Sequence, residues 1–134
     1  MIRKALLLTI LLLGVLYGQD EIDSTRLMCN GRMWRKMSVD HKLAYVMGIK
    51  DAWVESALAS GDVTKFVENR WADRFTVKDY MKELDLIYRD GENIRLPIPA
   101  AIWYCTAKLK GKSTKAELER ALIYLREFWT SPLS

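Results

Sequence analysis

The stretch from Val39 to Ala59 constrains this chain more than any other. No proline or strand-like alternation interrupts it, and Ser38 stands before it as a capping residue. Read at about 100° per residue, Leu43, Tyr45, Val46, Met47, Ile49, Ala52, Trp53, Val54, Ala57 and Leu58 fill an arc over half the circumference. Only Lys42, Lys50 and Ser56 break that arc, while Asp40, His41, Gly48, Asp51 and Glu55 lie opposite. A helix at a protein surface carries a narrower stripe. The width predicts a central helix touched by several others, entered through the short lead-in Trp34–Met37 and stopped at Ser60-Gly61.

The remaining elements follow from the same periodicity. Asp62 can cap a short helix with Val63, Phe66 and Val67 on one face. Thr76 opens a helix whose stripe, Val77, Tyr80, Met81, Leu84, Ile87 and Tyr88, spans about 120°, and Asp90-Gly91 stops it. Pro99 suits the first turn of the next helix. That helix runs to about Lys110 and is apolar nearly all round, which predicts deep burial. Thr114 and Glu117 have capping-box spacing, and the last helix, Lys115 to about Trp129, turns Leu118, Ala121, Leu122, Leu125, Phe128 and Trp129 to one side. The expected fold class is all-α: a single-domain bundle of four or five helices around the central one, covering residues 30–130.

The N-terminus points to export. Met1-Ile2-Arg3-Lys4 is positive, Ala5–Leu16 is apolar but for Thr9 and Gly14, and Leu16-Tyr17-Gly18 precedes polar Gln19-Asp20-Glu21. This is signal-peptide anatomy, too short to span a membrane, with residues 1–18 removed on cleavage and 19–29 left as a flexible arm. Leu16 is large for its place before the cut, so an uncleaved anchor is the alternative. The acidic and basic residues between the apolar run and Cys29 argue against lipidation. The expected location is periplasmic or secreted, with membrane contact only through an uncleaved signal segment. Net charge is +4, or +2 without Arg3 and Lys4, and basic residues alternate with acidic ones. Such a balance does not suit nucleic acid.

The chemistry-bearing residues are few. Cys29 and Cys105 are the only cysteines; an even count in an exported chain predicts a disulfide. Closing that 76-residue separation would stabilise by about 4 kcal/mol on the chain-entropy model. His41 is the only histidine, and one histidine with one inward cysteine does not make a zinc site. Asp51 and Glu55, spaced i, i+4, are read as a solvated face. Combined with His41 they are the one conceivable hydrolytic or ligand-binding set. No catalytic, cofactor-binding or metal-ligating residues are assigned, and no cofactor is expected. Lys108, Lys110, Lys112 and Lys115 gather around a helix end, where cations oppose the helix dipole. Trp34 and Trp71, with Tyr88, Asp90 and Asn93 of the loop after the third helix, are the candidate contacts for a partner.

Asn30-Gly31, Trp34, Ser38, Lys42-Leu43 and Tyr45-Val46-Met47-Gly48, followed by Tyr80, Leu84-Asp85, Tyr88, Asp90, Asn93-Ile94 and Pro97-Ile98, resemble a group of small exported bacterial helical proteins of unassigned function. The resemblance covers about residues 30–126 and implies a helical bundle, with no catalytic residues to carry over. A more distant likeness, in size, export and two cysteines, is to periplasmic type VI secretion immunity proteins and acid-stress chaperones. The function expected from these readings is non-enzymatic: extracytoplasmic binding of another protein, immunity- or adaptor-like. The alternatives are a small hydrolase using His41, Asp51 and Glu55, and a periplasmic stress chaperone.

Overall fold

The computed structural model describes residues 23–61, 71–72 and 74–131. The expected signal segment and the short helix expected after Asp62 lie outside them. The described residues form five α-helices: α1 (Gly31–Lys36), α2 (Val39–Ala59), α3 (Val77–Ile87), α4 (Ile98–Lys110) and α5 (Lys115–Thr130). A 3-10 turn, Gly91–Asn93, joins α3 to α4, and a small antiparallel hairpin, β1 (Ser24–Thr25) and β2 (Met28–Cys29), precedes α1. The fold is all-α, as expected from the helical periodicities.

The helix ends follow local chemistry. Ser38 accepts a hydrogen bond from the His41 amide and starts α2. Gly61 takes φ 72° just beyond the C-terminal end of α2, and Gly111 takes φ 64° after α4, both left-handed positions suited to glycine. Thr114 and Glu117 form the expected capping box. Thr76 and Asp79 form a second one, in which Asp79 bonds back to the Thr76 amide at 2.7 Å. These hydrogen bonds, with Thr76's hydroxyl first for Asp79 and the Thr114 amide first for Glu117, hold both carboxyls below their ordinary range.

The centre of the bundle differs from the expectation. It is the α3–α4 pair, with α2 resting on α3 and α5 on α4. Tyr80, Met81, Leu84 and Ile87 of α3, with Tyr88 just after it, meet Ile98, Ala101, Ile102 and Cys105 of α4, and Trp34, Val46 and Leu125 complete the core from the flanking helices. In α2 only Val46 and Ala57 are buried. Leu43, Tyr45, Ile49 and Trp53 pack partly buried against the core. Val39, Met47 and Leu58 are exposed, Leu58 by 62%. The wide arc of α2 counts residues on both flanks of one packed face, so it marks a side wall rather than an axle.

The disulfide is not formed: both cysteines are free and not at bonding distance. Cys29, in β2, lies against the core where its thiol meets the Tyr45 hydroxyl. Cys105 is wholly buried in α4, and burial pushes its thiol pKa well above the usual range. Even parity and the expected export permit a bridge, but a bond needs the two sulfurs about 2 Å apart, and the packing of α4 against the hairpin does not bring them to that distance.

Residues 23–29 of the expected 19–29 arm fall among the described residues. Ser24–Cys29 form the hairpin, in which Ser24 pairs with Cys29 and Thr25 with Met28. The Asn30 amide donates to the Asp23 carbonyl at 3.0 Å, and Thr25 Oγ1 donates to the Arg95 carbonyl at 2.6 Å.

Candidate functional site

Four of the five candidate contacts are interior residues. Trp34 is buried and donates its indole N–H to Asp85 Oδ1 at 2.8 Å. That carboxylate also pairs with Lys42 at 2.7 Å, and the ammonium lies 4.9 Å from the Trp34 ring centroid. The group ties α1, α2 and α3 together. Trp71 is buried and stacks on Tyr80 with centroids 3.8 Å apart. Tyr88 is buried, donates to the Leu96 carbonyl at 3.0 Å, and presses its ring against Gly31. Arg35 reaches back to the Tyr88 carbonyl through Nε at 2.8 Å and through Nη2.

The loop read as a recognition loop is a structural joint. Asn93 is buried; its amide donates to the Ile87 carbonyl at 3.0 Å and accepts from Arg126 Nε at 2.7 Å. The same guanidinium reaches Glu92 at 2.5 Å and Asp90 at 3.0 Å. Asp90 is exposed, yet its carboxylate also caps the 3-10 turn through the Glu92 amide. The aromatic and amide character that suggested a binding loop instead serves to lock α5 onto the α3–α4 connection.

His41, Asp51 and Glu55 are all exposed on α2. A helical rise puts His41 about 15 Å from Asp51 and about 21 Å from Glu55 along the axis. They do not converge, so this set cannot place a base and an acid on one substrate. Among the described residues, no three His, Cys, Asp or Glu side chains group as metal ligands would. Of the lysine cluster, Lys108 pairs with Glu83 at 2.5 Å, and that hydrogen bond raises the pKa of Lys108; Lys115 lies 3.8 Å from Glu119.

The unusual geometry is at the hairpin. Its two-residue turn is Arg26-Leu27, with φ 50° and 66°. Two successive positive φ values match the tight turn that fits strand twist, a turn ordinarily made by Asn-Gly. A side chain in that region costs on the order of 1–2 kcal/mol. The surroundings hold the turn in place. Arg26 Nη2 donates to the carbonyls of Phe128 at 2.7 Å and Ser131 at 3.1 Å. Its guanidinium carbon lies 4.9 Å from the Phe128 ring centroid and 5.2 Å from that of Trp129. The cation therefore satisfies carbonyls at the negative end of α5 while lying over two rings. Lys36 and Asp23 pair at 2.6 Å at the base of the hairpin.

This arrangement leaves Leu27 99% exposed at the tip. The last turns of α5 add Tyr124, 61% exposed, and Phe128, 47% exposed, stacked with centroids 6.1 Å apart. Phe128 meets Trp129 edge-on at 5.2 Å. An exposed leucine beside exposed aromatics and an arginine has the composition of an interface anchor. Sequence reading missed it because Thr25-Arg26-Leu27-Met28 contains no turn-forming residue, and the partners of Arg26 lie over 100 positions away.

No family model matches the chain, and no curated protein or solved structure matches it at a significant level.

Proposed function

We propose that this chain is a non-enzymatic extracytoplasmic protein that acts by binding another protein, in an immunity- or adaptor-like role. The contact is the corner formed by the hairpin tip and the C-terminal end of α5. The observation that carries this reading is Leu27, held fully in solvent on a turn of unfavourable backbone geometry. Folding gains nothing from exposing a leucine there, whereas a partner's pocket would bury a side chain worth about 2 kcal/mol. Strain that the surrounding structure maintains is most often found at functional positions. The apolar N-terminal segment supports export. The hydrolase alternative has no convergent residues to rest on, and no observation favours a chaperone.

The test is site-specific photo-cross-linking in the extracytoplasmic fraction of the source cells. A cross-linker at position 27 is expected to give a discrete protein adduct that one at exposed position 82 does not. Excess wild-type protein should compete the adduct away, and the Leu27→Asp variant should fail to compete. Equal labelling at both positions, or equal competition by both proteins, would refute the assignment.

A further inference from the structure

The core-facing side of α5 carries Leu118, Leu122, Leu125 and Trp129. The opposite side carries Ala116, Arg120, Ile123, Tyr124, Glu127 and, at the end, Ser131, all exposed. At helical spacing these six fall on one stripe. Its middle is apolar, with Ile123 50% and Tyr124 61% exposed, and its flanks are a cation before and an anion after. Glu127 has no side-chain ion pair among the described residues. Arg120 has none there either, and acts only at longer range on Glu117.

We propose that α5 pairs with α5 of a second copy, antiparallel, about a two-fold axis passing between Ile123 and Tyr124. The symmetry of the stripe leads to this occupant. Arg120 and Glu127 are equidistant from that midpoint, about 5 Å to either side along the axis. In an antiparallel pair each Arg120 faces the Glu127 of the other copy, and each Glu127 faces an Arg120. Ile123 faces Tyr124, and Ala116 faces Ser131, so small residues stand at both ends where the helices must approach. One patch meeting itself in this way is the requirement for a two-fold contact. A parallel pair would set arginine on arginine and glutamate on glutamate. Packed helix axes lie 8–10 Å apart, within the combined reach of an arginine and a glutamate. The helix is 16 residues, about 24 Å, long and the stripe covers of order 300 Å² per partner. Stable dimers bury about 800 Å² per partner, so this association is weak and concentration-dependent. The stripe shares Tyr124 with the corner described above, but its test is made at Arg120 and Glu127 and does not depend on the role of Leu27.

The experiment is sedimentation velocity of the purified protein from about 10 µM to about 1 mM in low salt. The wild type is expected to shift reversibly from monomer toward dimer. Arg120→Glu alone and Glu127→Arg alone should each weaken dimerisation about tenfold or more, because every cross-pair becomes repulsive. An equimolar mixture of the two should associate again, to within about threefold of the wild type, since the glutamate introduced in one copy then faces the arginine introduced in the other. The double variant should also recover. Both positions are exposed, and unchanged circular dichroism will confirm that folding is retained. A wild type that stays monomeric throughout, or swapped chains that associate no better mixed than alone, would overturn the proposal.

Discussion

A methyl group at residue 31 tests the packing of the whole N-terminal end. A Cβ built on Gly31 would lie 2.2 Å from Cδ1 of Tyr88 and 2.6 Å from Cε1. The ring has no ready escape. It is 1% exposed, its hydroxyl is held by the Leu96 carbonyl, and its centroid sits 6.4 Å from that of Trp34. Overpacking of this kind costs about 1–3 kcal/mol. The helix preference of alanine over glycine returns about 0.5–1 kcal/mol. So close an approach belongs at the upper end of that range, so Gly31→Ala should destabilise by about 2 kcal/mol net, or lower Tm by about 8 °C. Tyr88→Ala should cost about 3–5 kcal/mol through the cavity it leaves. In that background Gly31→Ala should be neutral or mildly stabilising, giving a coupling of about 2–3 kcal/mol in a double-mutant cycle. Urea titration monitored by circular dichroism measures all four corners. An unchanged Gly31→Ala, or the same penalty with and without the Tyr88 ring, would show that the two residues do not constrain each other as described.

Arg126→Leu should destabilise by about 2 kcal/mol, since it leaves the buried Asn93 oxygen without its donor; Arg126→Lys should recover little, because one ammonium cannot satisfy three acceptors in a fork, and thermal denaturation will report both. Thiol titration of the denatured protein without reductant should find two free cysteines, with Cys105 unreactive in the native state; one disulfide per chain would contradict the structure. Burial raises the pKa values of Cys105, Tyr45, Tyr80 and Tyr88 in the folded state. The unfolded chain releases the same protons near the ordinary values, about 8.5 for the thiol and about 10 for the phenols. The folded form thus holds more protons in alkali, so the stability tied to these groups is complete below about pH 8 and falls as pH rises above it. Tyrosinate absorbance from these residues should rise with unfolding and not before it.

Helix positions could be read from single residues. Ser38, Gly61, Gly111 and the Thr114–Glu117 box act through bonds to neighbours three or four positions away, and all of them lie where local chemistry placed them. The stripe on α3 was legible for the same reason. Which helix is central was not, because arc width records how many apolar residues a helix carries and not how many neighbours cover it. Met47, Leu58 and Trp103 are apolar and exposed. The candidate contacts failed on a related point: an aromatic such as Trp34 or Tyr88 with a polar tip can serve a surface, or can be buried once its N–H or O–H finds a partner. Asp85 and the Leu96 carbonyl are those partners, and no spacing rule reveals them. The Arg26 clamp joins groups from opposite ends of the described chain, a relation absent from any local window.

That clamp carries an implication for how the molecule is made. Translation delivers Arg26 about a hundred residues before the Phe128 and Ser131 carbonyls that receive it. Until those residues emerge, the turn must hold two unfavourable φ values on its own, and closing so long a loop adds its own entropic cost. The hairpin is therefore made before α5 but secured only after it. A chain truncated before Phe128 should keep its inner helices and lose the ordered presentation of Leu27, so that the corner forms only once the last turn of α5 is in place.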